Sequence, residues 1–181
     1  TEYHFNLREG IFFVDDPCFP QGKGRELTSE DVLYTLKRFA DHRLNHRSWF
    51  LLRNTIEGLD EFRKASAQKG FTYEKSIRGF TRKSKYQFSI KTLRKNPLTL
   101  YSFAATSLSI VPHEAVTYYG KSFKHHPVGT GAFTLQKFKR KQTAIFKKNP
   151  HYFMSYPTEG TPEDLSSGFL KDAGKNLPLL D

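Results

Sequence analysis

Tyr3, Phe5 and Leu7 alternate with His4, Asn6 and Arg8, the period of a half-buried strand. Gly10 punctuates it, and the apolar run Ile11, Phe12, Phe13, Val14 predicts a second strand. Two prolines, two glycines and several charges then make residues 15–26 a loop. At Thr28 the period changes. Val32, Leu33, Leu36, Phe39 and Ala40 follow helical spacing, with Thr28 placed to accept free backbone N–H groups and Glu30 and Asp31 at the positive end. This predicts a helix over residues 29–42, with Asp31 giving only an approximate capping box.

Further on, residues 49–52 and 56–59 are apolar patches joined by Asn54, and Asp60 reads as the cap of a short helix through Ala67, ended by Gly70. Tyr86, Phe88 and Ile90 give a second clear alternation, with a segment at residues 78–80 as its hairpin partner across a polar turn. Pro97, capped by Asn96, predicts a helix through Phe103 or Ala105; Pro112 predicts another through Tyr119, stopped by Gly120. Gly129, Thr130 and Gly131 lead into Phe133 and Leu135, a third strand whose partner is residues 143–147. Residues 155–168 are rich in loop formers. No internal repeat emerges, and the sum is a mixed α/β chain of hairpins and single helices rather than a regular βαβ series.

Composition narrows the class. The 181 residues are 37% hydrophobic and 15% aromatic, enough for a globular core. No apolar run approaches the roughly 20 residues needed to span a bilayer. The chain opens at Thr1 inside a strand, which reads as a piece of something longer. Cys18 is the single cysteine, so no intrachain disulfide forms. The net charge of +11 raises a basic nucleic-acid-binding domain as an alternative function. Two stretches, residues 78–95 and 121–148, interleave cations with aromatics as single-strand binders do. Their period of two instead predicts rings buried on one face and lysines solvated on the other.

Candidate chemistry is sparse. There is no G-x-S-x-G elbow, Cys18 sits in a proline-flanked loop without a nearby histidine, and the acidic pairs fall in loops or helix starts. His125 and His126 are adjacent, so on a strand they face opposite ways; His42 and His46 have i,i+4 spacing beside a helix end. The Gly129-Thr130-Gly131 stretch lacks the lysine of a phosphate loop and leads into a strand. No catalytic residue, metal ligand or cofactor is expected, and the chain does not read as an enzyme.

Four segments, in order, resemble the family 5 extracellular solute-binding proteins, which include oligopeptide-, dipeptide- and nickel-binding subunits. Residues 3–11, YHFNLREGI, resemble Y-x-F-x-L-R-x-G-I/V. Residues 27–35, LTSEDVLYT, resemble L-T-A-E-D-V-V-Y-S. Residues 111–116, VPHEAV, resemble V-P-x-E-A-V. Residues 126–133, HPVGTGAF, with 149–152, NPHY, resemble H-P-V-G-T-G-P-Y/F followed by N-P-x-Y-W. The loop at residues 15–20 is longer than the common H-D-G-x-P form, Ala132 replaces a proline, and Phe153 stands for tryptophan.

The resemblance implies part of a type II periplasmic-binding-protein-like fold, with pieces of two of three domains. Residues 1–92 would belong to the small second domain and 93–181 to the first, with the third domain absent. It implies an extracytoplasmic, periplasmic carrier that encloses an extended peptide or related solute between two lobes and delivers it to the permease subunits of an ABC importer. A signal peptide would lie upstream of Thr1, and any membrane contact would run through the transporter or a lipid anchor. Trp49 and Phe50 follow the capped helix where the family places an aromatic near the cleft; the same pair reads equally as core.

Overall fold

The structure is a computed structural model and describes residues 1–178. By its contacts the chain divides into two compact units: Thr1–Glu9 with Leu27–His113, and Gly10–Glu26 with the segment from Glu114 onward. Compactness therefore divides the chain at other places than residue 92, because residues 93–113 pack with the first unit through Leu108, and residues 10–26 pack with the second.

In the first unit, β1 (Glu2–Asn6) carries the first alternation. Helix α1 (Ser29–Ala40) starts at a complete capping box. The Thr28 side chain accepts from the Glu30 N–H at 3.3 Å, and the Asp31 carboxylate accepts from the Thr28 N–H at 2.9 Å. Aspartate thus closes the box that glutamate usually closes. The apolar stripe of α1 buries Leu36, Phe39 and Ala40.

Helix α2 (Leu59–Ser66) is entered from Gly58 in the left-handed region, not from Asp60. The Asp60 carboxylate instead accepts the Asn54 N–H at 2.9 Å, closing the turn before the helix. Strands β2 (Phe80–Arg82) and β3 (Gln87–Lys91) form the expected hairpin, and β3 lies between β1 and β2 in an antiparallel sheet. Register sets Phe5 opposite Phe88 and Phe80 opposite Ile90. Phe88 then stacks on Phe5 at 4.9 Å and on Phe80 at 5.2 Å. Gly79 has no room for a side chain: a Cβ there would lie 2.7 Å from the carbonyl oxygens of Glu57 and Lys91. Its N–H donates to the Glu57 carbonyl, so close backbone approach fixes the residue.

Helix α3 (Thr99–Phe103) ends where expected, but no side chain caps it; Asn96 accepts the Leu98 N–H at 3.0 Å and turns the chain just before it. Leu36, Leu52, Ile56, Phe62 and Ile90 are the centre of the core that these elements share.

In the second unit, the run Ile11 to Val14 is not a strand. Phe12 makes only an isolated bridge to Glu26, and the Phe13 and Val14 N–H groups donate to Arg25 and Gly129 carbonyls at 3.0 and 2.9 Å. Phe13 and Val14 bury, but Arg25 and Gly129 lie in different segments, so no continuous ladder forms. Helix α4 (His113–Tyr119) begins after Pro112 and is followed by Gly120 at φ +50°. Arg25 clamps Glu114 with two hydrogen bonds, 2.5 and 2.8 Å.

Strands β4 (Phe133–Lys139) and β5 (Thr143–Lys148) pair as expected, with an irregularity between Leu135 and Lys137. Their rings are not buried as the period predicts. Phe133 and Phe146 are 43% and 57% exposed, since a two-stranded ribbon offers no second layer to cover them. Within the expected loop at residues 155–168 lies a short helix, α5 (Pro162–Ser166), with proline in its first turn and a Thr161–Asp164 capping box.

Candidate functional site

An open cleft of about 650 Å³ in the first unit is the candidate site. Residues Arg47–Leu51 form a 3-10 turn on one side, which places Trp49 and Phe50 differently. Trp49 is half-buried against Phe39 at 6.2 Å, with the Arg63 guanidinium 4.7 Å above its ring. Phe50 points away from the core, 73% exposed, and lines the cleft.

The opposite wall comes from residues 94–102. Two segments distant in sequence are tied there: Ile56 bridges Thr92, and the Leu93 N–H donates to the Thr55 carbonyl at 2.9 Å. The Thr92 hydroxyl donates to the Arg94 carbonyl at 3.0 Å. This pairing brings Arg53 and Arg94, forty-one positions apart in the chain, to one cleft. Sequence reasoning missed both, because each sits in a polar stretch with no local pattern. The signal that links them is the pairing of residues 55–56 with 92–93, which no periodicity shows.

Among the described residues, no acidic side chain lines this cleft. Two acids close in sequence to its wall each have a partner. Asp60 holds the Asn54 N–H, and Glu57 is bound by Lys91 at 3.0 Å, whose hydrogen bond and charge hold the Glu57 carboxyl below its ordinary range. Thr99, 2% exposed, lines the cleft with a buried hydroxyl that has no hydrogen-bond partner among the described residues.

The other residues considered from the sequence are not drawn together. His125 stacks on Phe138 at 5.5 Å, whereas His126 lies flat on Tyr119 at 4.2 Å. His46 packs its ring on Phe39 at 4.4 Å. Among the described residues, no three His, Cys, Asp or Glu side chains group as a metal site. Burial, and then Asp16, push the Cys18 thiol up to about 12, the opposite of an activated nucleophile. Asp16 itself accepts the Tyr119 hydroxyl at 2.9 Å. Among the described residues, no helix is long and apolar enough to cross a membrane.

A family model described as bacterial extracellular solute-binding proteins, family 5 Middle, matches residues 1–178. No curated protein matches the chain. Among solved structures, Burkholderia pseudomallei OppA is similar with a TM-score of 0.67 at 18% identity, covering 84% of this chain and 28% of that one. The substrate-binding domain of an oligopeptide ABC transporter from Bacillus anthracis gives 0.68 at 20% identity, covering 84% and 27%. Listeria monocytogenes OppA bound to peptide gives 0.67 at 17%, covering 84% and 28%. At such identities the likeness is one of fold: the mixed α/β chain matches part of a type II periplasmic-binding-protein-like structure. It spans a little over a quarter of the length of these structures.

Proposed function

The chain belongs to the bacterial extracellular solute-binding proteins of family 5, and from that premise we propose that the whole protein captures oligopeptides, or a related solute, and delivers them to the permease subunits of an ABC importer. The observation that carries this reading is the family match along residues 1–178. It is supported by structural neighbours described as an oligopeptide transporter's substrate-binding domain and as peptide-bound. The family is one of solute carriers, so the protein acts by binding and release, not by catalysis. It works outside the cytoplasm, in the periplasm, held near the membrane by the transporter or a lipid anchor.

In this reading residues 1–92 contribute to the small second domain and residues 93–181 to the first, and two lobes of the whole protein close on the solute. Phe50 faces ligand in the cleft, while Trp49, braced by Arg63, holds the turn that presents it. Neither the family match nor the structural neighbours support the nucleic-acid alternative. Part of the positive charge is also paired, as in Arg25–Glu114, Arg82–Glu30 and Lys91–Glu57.

Isothermal titration of the full-length protein with short peptides is expected to show saturable one-to-one binding that free amino acids do not match and that added salt changes little. Absence of peptide binding, with retention of polyanions that falls steeply as salt rises, would contradict the proposal.

A further inference from the structure

We infer that the cleft between Phe50 and Ser102 is an anion subsite that takes a carboxylate-bearing ligand with an apolar group beside the charge. Arg53 and Arg94 line it with no ion-pair partner among the described residues, and no acidic side chain lines it among them, although the Asp60 carboxylate accepts the N–H of Asn54 at its lip. Unpaired guanidinium groups on facing segments present forked N–H donors that fit a carboxylate two at a time. The pairing of Thr55 with Leu93 holds the backbones of those two segments together, while the exposed arginine side chains order when ligand binds.

Neutral donors add to the charge. Asn96 uses its side-chain oxygen to accept the Leu98 N–H, which leaves its amide N–H groups without a partner among the described residues. The Thr99 hydroxyl, on a residue 2% exposed and without a partner among the described residues, is a second donor lining the same cleft. A buried hydroxyl without a partner costs free energy, and a ligand oxygen that reaches it recovers that loss. Asn54 stands at the lip with φ +54°, a conformation its backbone holds because Asp60 accepts its N–H.

The rim chooses among anions. Phe50 and Leu98 are 73% and 64% exposed and flank the charged wall. Such a rim favours an organic anion over a fully hydrated inorganic one, since only the former covers apolar surface. The inference takes from the solute-binding reading only that this cleft is ligand-facing.

The test is a titration of the full-length protein, followed at its amide NMR signals, with N-acetyl-L-phenylalanine as the probe. Signals of Asn54, Arg94, Asn96 and Ser102 are expected to shift saturably. N-acetyl-L-phenylalaninamide, equal in shape but uncharged, is expected to bind at least about fivefold more weakly, and Arg53→Gln or Arg94→Gln each to weaken the acid by a similar factor. Phenyl phosphate is expected to bind no tighter than the acid. Equal binding of acid and amide, indifference to both substitutions in variants whose spectra stay native, or binding of phenyl phosphate alone would overturn the subsite. Those failures leave peptide capture by the full-length protein intact, whereas loss of peptide capture alone would remove the carrier reading and not the anion site.

Discussion

Phe62→Ala is expected to remove about 3–5 kcal/mol of stability, the range for deleting a fully buried aromatic ring. Phe62 is 0% exposed and sits on α2 within the buried core of the first unit. Its ring meets Phe71 edge-on at 5.1 Å and Tyr73 at 5.9 Å. The Lys37 ammonium lies 6.0 Å from its centroid, with its Nζ donating to the Tyr73 carbonyl. Removing the ring leaves a cavity and strips one wall from a lysine that burial already pushes toward neutrality. Because domains hold only about 5–15 kcal/mol, such a loss is a large share of the total. Urea unfolding should show a lower midpoint at nearly unchanged slope, and Phe62→Leu should lose less than half as much. A Phe62→Ala midpoint equal to that of the parent chain would contradict this packing.

Asp41→Asn is expected to cost about 2–3 kcal/mol at neutral pH, with the cost shrinking on acidification. The Asp41 side chain is 4% exposed. It accepts from Arg43 Nη2 at 2.7 Å, from the Arg43 N–H at 2.9 Å and from the Tyr73 hydroxyl at 2.8 Å. Burial raises its carboxyl, but these hydrogen bonds, led by the Arg43 side chain and Tyr73, outweigh it and hold the group below its ordinary value. A depressed folded value means the stabilisation is fully present above the unfolded aspartate range near pH ~4 and is lost as pH falls through the folded value. The difference between parent and Asp41→Asn should therefore narrow below pH ~4 in urea unfolding run across pH. A gap that stays constant from neutral to acidic pH would show that the carboxylate is not the stabilising group.

What could be read from sequence followed the range of the forces involved. The alternation at Tyr3–Phe5, the Thr28 cap and the β4–β5 hairpin are local patterns, and all three are present; the strand at Phe88–Ile90 forms too, but Ser89 is buried between them at 2% exposed. Thr161, Pro162 and Asp164 carried a helix start of the same kind, hidden by the loop formers around it. Long-range effects were not legible. Phe13 and Val14 have a strand's composition, yet their hydrogen bonds go to Arg25 and Gly129, partners that no local pattern announces. Gly58, not Asp60, starts α2 because Asp60 is drawn back to Asn54. The cleft follows the same rule. Phe50 was singled out only through the family resemblance, and Arg53 and Arg94 became neighbours only through the Thr55–Leu93 pairing.

The central claim, that this chain is part of an exported peptide carrier, is tested most directly by recovering the native protein from periplasmic extract with an antibody against residues 1–178. Mass spectrometry would then read both the polypeptide mass and the small molecules released on denaturation. The account predicts a polypeptide much larger than 21.0 kDa, found in the periplasmic fraction, that releases peptides. A cytoplasmic polypeptide near that mass, carrying nucleic acid or nothing, would contradict it.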